Sequence, residues 1–171
     1  RYNVIHWMKQ LKSQLRSLQR ARTSIVLVPC DVGRAVEVSA LVGTVTGRPG
    51  MSVLHASGLG DKGLLREVAL WRVAALFRPK ATAAHHLHGA TARVYLEHCV
   101  VWSSVAAAFG NVGQGNYSAS NACLDALAIV RAALGISASC MQLPLVTGAG
   151  MGAAAVDERQ QRFRGMAAIS L

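Results

Sequence analysis

The 171-residue sequence is poor in acidic residues, in aromatic residues and in charge overall. Eight residues are Asp or Glu, against 18 that are Lys or Arg, and only 5% are aromatic and 15% charged. Hydrophobic residues make up 52% of the chain, a composition that excludes a disordered protein. The length allows one domain with a substantial core and is too short for two full ones.

The sequence also lacks a long, uninterrupted apolar run. Residues 98–124 and 132–156 contain no Asp, Glu, Lys or Arg, but Gly, Ser, Asn, Gln or Pro interrupt both stretches, so neither resembles a membrane-spanning helix. Residues 1–22 have no apolar core of about 7–15 residues such as a signal peptide needs. We therefore expect a soluble, cytoplasmic protein with no membrane partner.

Closely spaced metal or disulfide ligands are absent too. The four cysteines form neither a Cys-x-x-Cys pair nor a disulfide framework, and we predict that they are reduced and mostly buried: Cys30, Cys99, Cys123 and Cys140. His85 and His88 of "HHLH" have no carboxylate or cysteine partner nearby in the sequence. We predict no metal site.

What the sequence has is a net charge of +10, concentrated at its start. Residues 1–22 hold six basic residues and no acidic one, and a basic helix can bind nucleic acid or an anionic membrane. However, apolar residues recur there at alternating spacings of four and three: Val4, Met8, Leu11, Leu15 and Leu18. This pattern predicts an amphipathic helix with its apolar stripe in a core, and we expect no nucleic-acid partner.

Short apolar runs then alternate with helical segments. Strands are predicted at 23–32, 51–56, 98–104 and 136–143. Helices are predicted at 34–46, at 64–92 with a break near 78–80, and at 116–134. Such alternation predicts βαβ units and an α/β fold with a doubly wound parallel sheet covered on both faces. The absence of internal repeats and low-complexity linkers favours a single domain over 1–171.

A glycine-rich stretch, "GLGDKG" (58–63), has the Gly-x-Gly-x-x-Gly spacing of a dinucleotide-binding turn. A true turn of this kind needs an acidic residue about 20 positions later, at the end of the next strand. The next predicted strand begins only at residue 98, after a long helical region. We therefore predict a loop at the carboxyl end of a central strand, without a pyrophosphate cradle.

Polar residues converge in a second segment, between the strand at 98–104 and the following helix. Ser103 and Ser104 end the strand, and a Gly/Asn/Gln-rich loop leads to Tyr117 and Asn121. Tyr117 and Asn121 are four residues apart and share a helix face. A serine at a strand end and a tyrosine on a facing helix can both reach one carbonyl group.

These residues carry a resemblance to a known family. "WSSVAAAFGNVGQGNYSASNACLDALA" is similar to the ketoreductase domain of polyketide synthases and animal-type fatty acid synthases, within the short-chain dehydrogenase/reductase superfamily. Four shorter segments resemble motifs of the same family: "PCDV" (29–32), "VLHASG" (53–58), "LFRPK" (76–80) and "VTGAGM" (146–151). The resemblance covers roughly residues 5–165 and implies a Rossmann-like fold.

The resemblance implies a site for NADPH-dependent reduction of a β-ketoacyl thioester. Tyr117 would donate a proton to the developing alkoxide, helped by the charge of Lys80, while Ser104 would bond the carbonyl oxygen and Asn121 would hold Lys80 or a water. The cofactor-binding positions implied by the family are Asp31, Val32, Ala56, Ser57, Gly58, Lys80, Tyr117 and Leu145. The implied partners are an acyl carrier protein, whose phosphopantetheine carries the substrate, and the other domains of a multidomain synthase.

The sequence departs from the family at several points. The family's first two strands and its glycine-rich phosphate turn would precede Arg1, and its final helix and strand would follow Leu171, so we expect a partial domain that alone binds NADPH poorly. The family's stereochemical markers are replaced by Gly60-Asp61-Lys62 and Phe109, which leaves the alcohol configuration open. The alternative function is that of a degenerate ketoreductase-like segment with a structural or docking role.

Overall fold

The computed structural model describes residues 13–17, 24–144, 146–147 and 169–170. Its helices are α1 (Ala35–Val45), α2 (Leu70–Phe77), α3 (Ala83–Thr91), α4 (Ala106–Phe109) and α5 (Gly115–Ala133). Its strands are β1 (Ser52–His55), β2 (His98–Ser104), β3 (Ser139–Leu143), β4 (Val146–Thr147) and β5 (Ile169–Ser170). A 3-10 turn spans Leu65–Glu67, and a π-helical turn, Arg78–Thr82, joins α2 to α3. None of the helices in these described ranges is both long and apolar enough to cross a membrane.

The main sheet has three parallel strands in the order β1–β2–β3. Ser52 of β1 pairs with His98 of β2, and Val100 of β2 pairs with Ser139 of β3. The short strands β4 and β5 form a separate parallel pair. Parallel neighbours need crossover connections, and here the helical region 65–91 and helix α5 supply them. The predicted α/β class with a parallel sheet is confirmed.

The core lies between β2 and the helices α3 and α5. Alternate side chains of β2 are buried, and Val101 packs with Ala84 of α3 and with Leu124 and Ala128 of α5. Of the other side chains of β2, Val100, Trp102 and Ser104 are half-buried and His98 is exposed. The two faces of the described sheet are therefore covered unequally, whereas the sequence predicted cover on both.

The predicted strand at 23–32 is wrong for the part that the structure describes. Residues 24–30 have no regular structure, and most of their apolar side chains are exposed, with Val26 at 79% and Leu27 at 70%. A strand requires a hydrogen-bonded neighbour, and no strand in the described ranges lies beside this segment. For the same reason β1, predicted as buried, is an edge strand in which only His55 is buried.

The predicted helix break near 78–80 corresponds to the π-helical turn, which separates α2 from α3. The turn accommodates Pro79, and the chain stays helical from Leu70 to Thr91. A further interruption lies at residues 68–69, between the 3-10 turn and α2.

The cysteines differ in part from the prediction. All four are free, but only Cys99 is fully buried, and Cys123 is exposed on α5. The predicted basic helix over 1–22 lies mostly outside the described residues. Its described part, residues 13–17, is helical.

Candidate functional site

Lys80 lies in the π-helical turn and is 4% exposed. A π turn inserts one extra residue into a helix, which changes the direction of the side chains that it carries. The Lys80 Nζ donates a hydrogen bond of 2.6 Å to Asn121 Oδ1 and lies 5.1 Å from the centroid of the Tyr117 ring. Burial lowers the pKa of Lys80, because the charged ammonium loses hydration there.

Asn121 and Tyr117 come from the start of α5. The Asn121 Nδ2 donates to the carbonyl oxygen of Tyr117 at 2.8 Å, one helical turn earlier. Since a carbonyl can only accept, this bond fixes the amide so that its oxygen faces Lys80. The Ser103 hydroxyl donates to the Asn121 carbonyl at 3.2 Å, which attaches the same turn to β2.

The end of β1 and the loop that follows it also contact Lys80. A Cβ atom added to Gly58 would lie 3.2 Å from Lys80 Cε, so this position is crowded for any larger residue. The buried His55 Nε2 lies 3.0 Å from the Lys80 carbonyl oxygen, and burial lowers the pKa of His55. Because the carbonyl only accepts, the neutral imidazole carries its proton on Nε2.

Ser104 has a different local contact. Its hydroxyl oxygen accepts a bond of 3.2 Å from the backbone amide of Ala106, at the start of α4. No hydrogen bond joins Ser104 to Lys80, Tyr117 or Asn121, although its neighbour Ser103 contacts α5.

The other predicted cofactor positions make separate contacts. Asp31 is exposed, and its carboxylate forms an ion pair of 2.6 Å with Arg78. Val32 and Ser57 line an open cleft of about 430 Å³ between α1 and β1, and Ala56 is exposed. Leu145 lies outside the described residues. Of the predicted set, the structure therefore brings Gly58, Lys80, Tyr117 and Asn121 together.

The "GLGDKG" loop is unlike a phosphate cradle. The Asp61 carboxylate lies in it, and Arg72 fills the space beside Gly63, with Nη1 3.2 Å from the position that a Cβ would occupy. The Arg72 guanidinium, which is paired with Asp61, therefore occupies the space beside Gly63 that a phosphate cradle would leave open.

Some functional candidates were missed from the sequence. His55 holds the backbone at Lys80, and its place as a polar residue at a strand end was the available signal. Ser103, which the sequence placed at the end of the strand, holds the backbone at Asn121. Asp61 bonds both Arg72 and Asn116, residues that are distant in sequence, and nothing in the sequence indicated this contact.

His88 of the "HHLH" segment has a contact within the fold: its Nδ1 accepts a hydrogen bond from Arg131 at 3.1 Å. Within the ranges that the structure describes, no group of three His, Cys, Asp or Glu side chains could hold a metal ion.

Comparison with known proteins finds relatives among the proteins of polyketide synthases. The chain is 38% identical over 151 residues to the "Spectinabilin polyketide synthase system protein NorB" of Streptomyces orinoci, which covers 88% of the chain and 7% of that protein. It is 43% identical over 126 residues to "Polyketide synthase GfsB" of Streptomyces halstedii, covering 73% of the chain and 2% of that protein. The chain thus spans a small part of these relatives.

Solved structures give the same family. "The first ketoreductase of the tylosin PKS" matches 91% of the chain with a TM-score of 0.79 and 35% identity, and "Structure of A-type Ketoreductases from Modular Polyketide Synthase" matches 92% with a TM-score of 0.82 and 35% identity. The chain covers 34% of each of these structures. The sequence profile of the KR domain matches residues 6–148. The chain therefore belongs to the KR domain family, the ketoreductase domains of polyketide synthases.

Proposed function

We propose that the chain contributes to the NADPH-dependent reduction of a β-ketoacyl thioester, bound to an acyl carrier protein, to the β-hydroxyacyl thioester. The observation that carries the proposal is the meeting of Lys80, in the π-helical turn, with Tyr117 and Asn121 of α5; Lys80 and Asn121 are 41 residues apart in sequence. A buried cation beside a tyrosine is the arrangement that proton donation from a phenol requires at neutral pH.

Each side chain has a defined task in this reaction. Tyr117 donates its hydroxyl proton to the substrate carbonyl oxygen as that oxygen gains negative charge, and the Lys80 ammonium stabilises the tyrosinate that remains. Asn121 holds Lys80 in place through its 2.6 Å bond. When bound, NADPH supplies the hydride that attacks the carbonyl carbon.

Ser104 completes the proposed site at the end of β2. Its hydroxyl already accepts a bond from Ala106, so the hydroxyl proton remains available for the substrate oxygen. This supports the role of Ser104 as the second donor to the carbonyl. Lys80 and Gly58 would hold the nicotinamide ribose, while Asp31 and Val32 would lie on the adenine side.

The test is the rate of NADPH oxidation by the full-length protein with a β-ketoacyl thioester, offered on its carrier protein and as a free N-acetylcysteamine thioester. We expect turnover by the wild type and a loss on the order of 10³-fold in Tyr117→Phe. The matched control is Tyr95→Phe, which removes the same hydroxyl from an 84% exposed tyrosine and should leave the rate unchanged.

The outcomes separate the two functions. Turnover that depends on Tyr117 supports the ketoreductase, and faster reduction of the carrier-bound substrate supports the acyl carrier protein as partner. A wild-type protein that does not oxidise NADPH with either substrate overturns the proposal in favour of a structural or docking role.

A further inference from the structure

Asp61 of the glycine-rich loop joins three parts of the fold. One carboxylate oxygen, Oδ1, accepts a hydrogen bond from Arg72 of α2, and the other, Oδ2, accepts one of 3.2 Å from Asn116 Nδ2 of α5. Arg72 also donates to the Lys62 carbonyl at 2.7 Å. We refer to Asp61, Arg72 and Asn116 together as the Asp61 clamp.

The ion pair of the clamp is sheltered from water. The side chains of Arg72 and Asp61 are 26% and 17% exposed, compared with 79% and 57% for the pair Arg66–Glu67 nearby. The hydrogen bond from Arg72 holds the pKa of Asp61 below its usual range. An exposed ion pair such as Arg66–Glu67 contributes little to stability. A half-buried carboxylate that accepts hydrogen bonds on both oxygens fixes the positions of its two donors relative to each other.

The clamp acts at the first turn of α5, which has no side-chain cap of its own. The residue before the helix, Gln114, makes no capping bond to the first-turn amides. Two contacts from the glycine loop hold this turn instead: the Gly63 amide donates to the Gly113 carbonyl at 2.8 Å, and Asp61 bonds Asn116. Asn116 is buried and directly precedes Tyr117.

The other end of the same loop contacts Lys80. Gly58 lies so close to the Lys80 side chain that an added Cβ would be 3.2 Å from its Cε. The loop 58–63 therefore runs from Lys80 to the residue beside Tyr117. We propose that Asp61 is a positioning residue, which holds the start of α5, and with it Tyr117, in register with Lys80. The inference rests on the proposed function, because register matters only if Tyr117 and Lys80 act together.

Asp61→Leu tests the clamp because it removes both acceptor oxygens from a side chain of similar size. Asp61→Asn would not, because the Asn116 amide can turn and accept from the new amide nitrogen while the new amide oxygen still accepts from Arg72. In the full-length Asp61→Leu protein we expect kcat to fall about 10- to 100-fold, as for a small displacement of a reacting group, with the KM for NADPH changed less than about twofold. Hydrogen exchange of the amides in 113–118 should be about tenfold faster.

The double variant Asp61→Asn/Asn116→Asp distinguishes positioning from a loss of fold. The amide oxygen at position 61 would accept from Arg72, and its nitrogen would donate to the new carboxylate at 116, so both bonds return with one direction reversed. We expect recovery of at least half of the activity that Asp61→Leu loses and of the slow exchange. Glu67→Gln is the matched control and should change neither measurement.

Unchanged kcat and exchange in Asp61→Leu, or no recovery in the double variant, would overturn the inference. Hydrogen exchange keeps this outcome separate from that of the proposed function. If the wild type does not reduce the thioester, the proposed function fails, and exchange in 113–118 alone decides whether the clamp holds α5.

Discussion

Two buried basic side chains lie at helix α5, one near each end, and they are held by different contacts. Near the start, Lys80 makes one side-chain hydrogen bond, to Asn121. Near the end, Arg131 is 1% exposed and donates to the Ser137 carbonyl, to His88 and to Thr91. In the part of the chain that the structure describes, neither cation forms an ion pair with a carboxylate.

The difference supports the proposed division into a reactive cation, Lys80, and a structural one, Arg131. A guanidinium is a rigid fork that always carries its charge, and here it spans α3, α5 and the segment before β3. An ammonium is compact, rotates freely and changes its pKa when buried. With a single bond to Asn121, Lys80 keeps donors for a ligand, and it lies beside Tyr117 and Gly58.

The largest expected effect comes from removing the reactive cation. Lys80→Met should lower kcat/KM for thioester reduction by about 100-fold or more, because the tyrosinate formed at Tyr117 loses its counter-charge. NADPH oxidation measures this, and hydrogen exchange across α5 should remain within about twofold of the wild type. A Lys80→Met variant that retains full activity would contradict the assignment.

Removing the structural cation should give the opposite pattern. Arg131→Met should lower the free energy of unfolding by about 2 kcal/mol, because it deletes three hydrogen bonds and leaves the Ser137 carbonyl unpaired. Urea unfolding measures this, and the remaining folded protein should keep its activity. Arg93→Met is the control, since Arg93 is exposed and its loss should change stability by less than about 0.5 kcal/mol. Equal losses of unfolding free energy in Arg131→Met and Arg93→Met would contradict a structural role for Arg131.

The smallest effect is a difference in pH dependence. Burial lowers the pKa of Lys80 below its ordinary value of 10.5, so between the folded and unfolded pKa values the unfolded state binds more protons. The unfolding free energy of the wild type should therefore rise relative to Lys80→Met as the pH increases toward 10.5. Arg131→Met should show no such trend against the wild type, because a guanidinium keeps its proton throughout this range. Parallel unfolding curves for all three proteins would count against a buried, titrating Lys80.

Much of the fold was predictable from local pattern. The apolar run at 98–104 is β2 with the predicted bounds, and the helix predicted at 116–134 is α5 shifted by one residue. Both lie in the centre of the described fold, where burial on the β2–α5 side makes periodicity informative. The run at 23–32 has the same apolar character and forms no strand, because strand formation depends on a neighbour that local pattern cannot reveal.

The candidate site was predictable only through the family resemblance. Taken singly, Lys80 after a proline and Tyr117 at a helix start have no property that marks a site. The structure places them together and adds His55 and Ser103 as supports for the backbone around them. The roles of Ser104, Lys80, Tyr117 and Asn121 remain predictions for the kinetic tests above.

The amino-acid sequence by itself determined the class of fold, the family and the candidate residues, because these depend on periodicity and on motifs that are local in the chain. The tertiary structure decided which charges are buried and what they contact. Asp61 in a loop, Arg72 on a helix and Asn116 beside a tyrosine look unrelated in sequence, and they meet because folding brings three segments to one place. Burial then sets the strength of each contact, since water no longer competes for the same donors and acceptors.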